Sequence, residues 1–307
     1  MTDQSQLNHV PPAQYVLKTE LPNAKHENLD AYATPQLVQA IVDDQINAVA
    51  AVRAAQEDLS RAVDMAAARL SQGGRLIYVG AGTSGRLGLL DSVELYPTFS
   101  WPRERALALL AGGSTAIYEA IEGAEDSYTQ GEADIKTAHT LSTDVVIVLA
   151  ASGTTPYALG ALSAAKRVGA LTIGVANNPN TPVSQQAEIG ITLDTGPEII
   201  SGSTRLKAGT AQKILLNTFS SAVMVRLSKV YGNLMVDLQP TNAKLVKRSI
   251  RITQLATGAD EYVAASTLER CNYSVKVAIV SIVKKITIDE SRAKLNTANG
   301  NVRRALE

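Results

Sequence analysis

Apolar positions along this chain follow two periodicities in turn. From Pro35 to Leu70 they recur at helical spacing (Leu37, Ile41, Ile46, Val49, Val52, Leu59, Val63, Met65), which predicts two helices. Short, continuous apolar runs then take over at Leu76–Val79, Leu107–Leu110, Val145–Ala150, Leu171–Val175 and Ile189–Leu193. Each is too short for a globular helix and reads as a buried strand. An alanine-rich helical stretch, Tyr157–Val168, separates the third run from the fourth. Strands alternating with helices of about a dozen residues predict parallel βαβ units. The expected fold is α/β, with a doubly wound, five-stranded parallel sheet.

Helical spacing returns after Gly209. Ile214, Leu215, Thr218, Val223, Val225 and Leu227 predict a buried helix from Thr210 to about Leu227. Everything from Ala243 to Glu307 is helical in pattern and holds a faint repeat. Asn272-Tyr-Ser-Val-Lys-Val-Ala-Ile resembles Asn299-Gly-Asn-Val-Arg-Arg-Ala-Leu, with Leu268 and Leu295 in matching places. Two short copies are too few to stack as a solenoid. A small helical appendage is expected, with Asn or Ser at each helix start. The resulting division is a loose polar arm over 1–18, a main domain over 19–242 and a helical domain over 243–307.

Ligands of doubly wound sheets sit beyond the carboxyl ends of the strands. Two loops at such ends are rich in hydroxyls: Gly82-Thr83-Ser84-Gly85 and Ser152-Gly153-Thr154-Thr155-Pro156. The first follows an apolar run and precedes helix formers, so its N–H groups and hydroxyls face an anion. Gly80, Gly82 and Gly85 spell G-x-G-x-x-G, yet no acidic residue closes a second strand about 20 residues on, as a dinucleotide site needs. A phosphate site is therefore expected. The plainer readings are a structural tight turn for the first loop and helix capping for the second.

Composition narrows the field. With 45% hydrophobic residues, 4% aromatics and no net formal charge, the 307-residue chain calls for a well-buried core and gives no sign of a nucleic-acid partner. Cys271 is the only cysteine, which excludes a disulfide framework or a cysteine metal site. His9, His26 and His139 lack ligand spacing, and each reads as a surface residue. The chain shows no basic-then-apolar leader and no apolar run of about 18 residues, so a cytoplasmic protein with no membrane association is expected.

Longer motifs bring a family into view. Thr19-Glu20 with Asn23 and Leu29-Asp30, Tyr78-Val-Gly-Ala-Gly-Thr-Ser-Gly-Arg-Leu-Gly88, and Glu122-Gly-Ala-Glu-Asp126 occur in that order. Ser201-Gly-Ser-Thr-Arg-Leu-Lys-Ala-Gly-Thr-Ala-Gln-Lys213 and Lys229-Val-Tyr-Gly-Asn-Leu-Met-Val-Asp237 follow. From about Thr19 onward the chain resembles the N-acetylmuramic acid 6-phosphate etherases, members of the sugar-isomerase (SIS) phosphosugar-binding group. The resemblance implies an SIS core over about 67–229.

It also implies a reaction: removal of D-lactate from C3 of N-acetylmuramic acid 6-phosphate, by elimination and then water addition. No metal and no other cofactor is implied. Two carboxylates suffice if one is tuned toward neutrality. The family's catalytic glutamates fall on Glu94 and Glu125, read here as proton donor to the leaving lactate and base at C2; the exchanged assignment fits equally. Without the family, Glu94 reads as a helix-surface charge and Glu125 as one acid of a cluster. Thr83, Ser84, Ser152, Thr154 and Thr155 are the implied phosphate and sugar contacts, with Glu198, Ser203 and Lys207 as further contributors. For Lys207 the alternative is a helix-end salt bridge, and Arg86 and Arg205 are similarly open. A homodimer with its site near the subunit interface is implied as well.

Three departures from the family pattern stand out. Leu95-Tyr96 and Ser100-Trp101 flank Pro97-Thr98-Phe99, where the family carries smaller residues beside the first glutamate, so a narrowed pocket is expected. Thr154 stands where the family usually has arginine, and Pro22-Asn23 where it has Arg-Asn. Two other classes fit the same domain. A phosphosugar-sensing regulator would need two copies of the binding pattern. An aldose–ketose isomerase would release no lactate.

Overall fold

The computed structural model describes residues 17–240 and 242–307; His9 and nearly all of the expected 1–18 arm lie outside them. The apolar runs become one parallel sheet of β1 (Leu76–Gly80), β2 (Ala106–Leu110), β3 (Val145–Ala150), β4 (Leu171–Ala176) and β5 (Ile189–Thr192), in the order β2-β1-β3-β4-β5. All residues of β1, β3 and β4 are buried, which is why these strands appear in the sequence as unbroken apolar runs.

Around the sheet lie α1 (Thr34–Asp44), α2 (Ile46–Ala54), α3 (Gln56–Ser71), α4 (Gly82–Phe99), α5 (Tyr128–Thr137), α6 (Pro156–Arg167), α7 (Pro182–Gln186) and α8 (Lys207–Arg226). The first three correct the expectation of two helices. Alternate strand residues face opposite layers. Leu76, Tyr78, Val145, Ile147 and Leu149 join a core with Leu59, Val63, Leu70, Leu215 and Phe219 from α3 and α8. Ile77, Val79, Val146 and Val148 join a second core with Ile135, Tyr157, Ala161 and Leu162 from α5 and α6. Helices therefore cover both faces, and strand order reverses direction between β1 and β3. A crevice opens at such a switch point.

After a two-residue hairpin, β6 (Val230–Tyr231) and β7 (Leu234–Met235), come α9 (Ala243–Thr257), α10 (Glu261–Arg270), α11 (Val275–Lys284), α12 (Ile288–Thr297) and α13 (Val302–Ala305). They share a core of their own, and Val236 and Leu238 beyond the hairpin pack into it. The faint repeat is a repeated helix turn. Asn272 and Asn299 both take left-handed φ, 54° and 52°. The amides of Tyr273 and Gly300 return to the carbonyls of Leu268 (2.7 Å) and Leu295 (2.8 Å). Asn301 caps α13; Ser274 holds the cap position of α11 without a side-chain bond, and α10 and α12 start on Asp260 and Thr287 instead. Among the described residues no helix is long and apolar enough to cross a membrane.

Candidate active site

A cavity of about 410 Å³ lies at the switch point. Its floor is Leu149 and Ala150 of β3, and its walls come from five separate stretches. Ala81, Gly82, Thr83 and Ser84 form the turn from β1 into α4. The opening amides of α4 have no partner within the helix and, with the helix dipole, favour an anion there. Ser152, Thr154, Thr155 and Pro156 lead from β3 into α6. Ser152 Oγ accepts from the Thr154 amide at 3.2 Å and lies 3.3 Å from Thr155 Oγ1, which fixes both hydroxyls in one turn. Glu125 and Asp126 come from the short turn before α5, and Thr204 from the loop before α8.

The fifth is Glu20, a residue to which no role was assigned from sequence. Its segment is tied down with care. The Thr19 amide donates to Asn178 Oδ1 (3.2 Å), Asn178 Nδ2 donates to Thr19 Oγ1 (3.0 Å), and the Gly202 amide donates to Thr19 O (3.1 Å). Asn178 Nδ2 also donates to Ala151 O at 2.9 Å, joining this strap to the second hydroxyl loop. Asp126 and Thr204 were missed as well. All three sit inside motifs visible in the sequence; Asp126 and Thr204 each stand next to a residue that drew attention instead, Glu125 and Ser203.

Six of the expected site residues thus share one cavity: Thr83, Ser84, Glu125, Ser152, Thr154 and Thr155. Four do not. Glu94 is exposed on α4, ten residues beyond Ser84, about 15 Å along the helix axis. Ser203 precedes Thr204 and does not line the cavity. Glu198 is fully buried and caps α8, accepting from the amides of Lys207 (3.1 Å) and Ala208 (2.9 Å). Burial pushes its carboxyl above the ordinary range, against the pull of those two amides and of the Lys207 charge. Lys207 is buried, its Nζ 2.8 Å from Asp44 Oδ1. The cation expected at the phosphate is instead the ion pair of a helix end.

The aromatic departures also fall elsewhere. Trp101 is buried in the core under the Arg105 guanidinium and donates to Arg105 O at 3.0 Å. Tyr96 lines a separate hollow with Arg103, whose guanidinium lies 4.4 Å from its ring centre. Neither narrows the cavity. Thr154 does line it, and the described lining contains no lysine or arginine. An anion here meets amides and hydroxyls on one side and three carboxylates, Glu20, Glu125 and Asp126, on the other. Among the described residues no three His, Cys, Asp or Glu side chains converge to hold a metal.

Comparison with known proteins agrees with this arrangement. A model of the glucokinase regulatory protein N-terminal SIS domain matches residues 58–166, and a model of the SIS domain matches residues 126–222. An N-acetylmuramic acid 6-phosphate etherase of Deinococcus radiodurans is 53% identical over 94% of this chain and 95% of its own. Etherases of the same name from Lactobacillus johnsonii and Pectobacterium atrosepticum are each 46% identical, covering 93% and 94% of this chain and 96% of their own. With such identity over more than nine-tenths of its length, the chain belongs to the N-acetylmuramic acid 6-phosphate etherase family.

Proposed function

We propose that this protein is a carbon–oxygen lyase that splits the D-lactyl ether of N-acetylmuramic acid 6-phosphate, in the recycling of cell-wall amino sugars. The observation that carries the reading is the meeting of two hydroxyl loops, a helix N-terminus and Glu125 in one cavity at the switch point. The phosphate sits against the first turn of α4 and the hydroxyls of Thr83, Ser84, Ser152, Thr154 and Thr155. The sugar then extends toward Glu125.

In the ring-opened sugar the C1 aldehyde acidifies the C2 proton. Glu125 takes that proton, the C2–H electron pair becomes the C2–C3 double bond, and the C3–O pair leaves with lactate. A second acid, assigned to Glu94, protonates the departing oxygen. Water then adds its hydroxyl to C3 and a proton returns to C2, giving N-acetylglucosamine 6-phosphate. The exchanged roles satisfy the same balance. No metal and no other cofactor enters any step.

Glu94 lies too far along α4 to reach its own chain's cavity, so the reading includes a homodimer in which the partner subunit presents it. Support comes from the surface. Val38, Val42, Ile46 and Val49 form an exposed apolar stripe along α1 and α2, Ile46 at 67% exposure, and Leu90 and Val93 are exposed on α4 itself. Solvent-facing apolar stripes of this kind mark interaction surfaces. A cytoplasmic location fits a phosphorylated substrate and completes the proposal.

The test is lactate release from N-acetylmuramic acid 6-phosphate. Wild type should release it, and Glu94→Gln and Glu125→Gln should each lose about 100-fold or more. Wild type that binds the sugar phosphate and releases no lactate would discard the reading.

A further inference from the structure

Arg86 stands on the first turns of α4, four residues beyond Gly82, and does not line the phosphosugar cavity. Its side chain turns toward the segment that carries Glu125. Nε donates to the carbonyls of Ala116 (3.0 Å) and Ile117 (3.2 Å), and Nη2 donates to that of Glu119 (3.1 Å). A guanidinium offers several donors in a fixed plane, so it can hold several carbonyls in one geometry where an ammonium cannot.

Little else ties that segment by hydrogen bonds. Among the described residues, the other hydrogen bonds of 112–126 stay within the segment: the amides of Tyr118 and Glu119 return to Thr115 O, that of Ala124 to Ile121 O and that of Asp126 to Gly123 O. Packing replaces them only in part: Ala116 is buried and Ala124 packs against the core of α5 and α6. A second cavity of about 260 Å³, bordered by Arg86, Ala116 and residues 119–125, separates the segment from the first turn of α4. It shares Ala81, Gly82 and Glu125 with the larger cavity. The place of Glu125 therefore depends on the packing of Ala124 on one side and on a polar tie beside a void on the other.

We propose that Arg86 is the positioning residue for Glu125, clamping the 112–126 segment to the helix turn that binds the phosphate. The phosphate-binding amides and the carboxylate then share one frame, with α4 as its rigid member. Phosphate binding at Gly82–Ser84 places the sugar, and the Arg86 clamp places the base against it. The proposal rests on the etherase reading for its kinetic consequence but not for its structural one.

The experiment compares Arg86→Met and Arg86→Lys with wild type, by lactate release and by amide hydrogen exchange. Arg86→Met should lower kcat by about 10–100-fold, the cost of a carboxylate misplaced by an ångström or so, while KM changes by less than about threefold. Free guanidinium, which the neighbouring void can admit, should restore part of kcat. Exchange of the amides in 112–126 should rise, with β1 and β3 unchanged as proof of folding. Arg86→Lys, which keeps one donor group, should fall between the two. Unchanged exchange in 112–126, or a raised KM with kcat intact, would overturn the proposal and make Arg86 either irrelevant or a substrate ligand. If wild type releases no lactate, the etherase reading fails, and the exchange comparison still decides for or against the clamp.

Discussion

Lys207 Nζ lies 2.8 Å from Asp44 Oδ1, with the two side chains only 3% and 6% exposed. The pair joins the end of α1 to the start of α8, and Glu198 caps the same helix end from the other side. Asp44 Oδ2 is buried without a partner among the described residues, so the carboxylate leans on Lys207 alone for charge compensation.

Removing one member of a buried pair leaves the other uncompensated and costs about 3–5 kcal/mol. Lys207→Met should therefore lower the urea midpoint steeply, and the double variant Asp44→Leu with Lys207→Met should recover most of the loss. A lysine that served the phosphate would behave otherwise. Its removal would raise KM and leave unfolding almost unchanged.

This pair also marks where the sequence stops being legible. The five strands stand out because fully buried parallel strands are uninterrupted apolar runs, as Val145–Ala150 is. The hydroxyl loops stand out because strand ends that open onto helices need Ser, Thr and Gly for capping and anion contact. Burial of a charge leaves no such trace: Lys207 and Glu198 read as substrate contributors, and the helix-end salt bridge only as an alternative for Lys207, until the partners Asp44 and the α8 amides appear. The breaks between α1, α2 and α3 are hidden for another reason. Gln45 (φ −67°, ψ −18°) and Ala55 (φ −88°, ψ 11°) turn the chain in conformations open to any residue, so no Gly or Pro announces them. Glu20 was hidden because its place depends on a contact with Asn178, 159 positions away from Thr19.

Asp144 gives a prediction with a definite sign in pH. Its side chain is buried and accepts from the Arg75 amide (2.8 Å), from Arg75 Nε and Nη2 (2.6 Å at the shortest) and from the Leu141 amide (2.8 Å). Burial alone would raise its pKa; the Arg75 side chain and the two amides outweigh it and hold the carboxyl below the ordinary range. The native state thus prefers the ionised form more than the unfolded chain does. Its stabilisation is complete above the unfolded value of about 3.9 and fades as pH falls through the lower native value. Asp144→Asn should cost about 2–3 kcal/mol at pH 7. Below pH of about 4 the variant should lose stability less steeply than wild type. Urea unfolding across that range measures both, and parallel acid limbs would sink the idea.

The second hydroxyl loop turns on Gly153, whose φ is +75°. A Cβ there would meet the Thr181 side chain, 2.5 Å from its Cβ, and Thr181 is itself buried. Gly153→Ala should therefore cost about 2–4 kcal/mol, collision and left-handed strain together. Because Ser152 and Thr154 flank it, affinity for the phosphosugar should fall as well. Gly196 separates the two causes. It has φ +69° with nothing within 4 Å of a built Cβ, so Gly196→Ala should show the strain alone, about 1 kcal/mol. Equal losses at both positions would mean that the Thr181 collision is relieved at no cost.

The distance between Glu94 and Glu125 sets the last prediction. The cavity is lined by Glu125, while Glu94 sits exposed farther along α4, on the helix that also exposes Leu90 and Val93. If the two glutamates of one site come from two subunits, neither single variant has an intact site, yet their mixture does. Half of the dimers in an equal, exchanging mixture of Glu94→Gln and Glu125→Gln are mixed, and each mixed dimer holds one wild-type site and one doubly substituted site. About a quarter of wild-type lactate release should then return, as two-fold symmetry requires. Ile46→Glu, placed in the exposed stripe, should block the recovery and shift light scattering toward monomer. Mixed dimers that form and stay inactive would mean that both glutamates serve from one chain, and α4 would then have to move to bring them together.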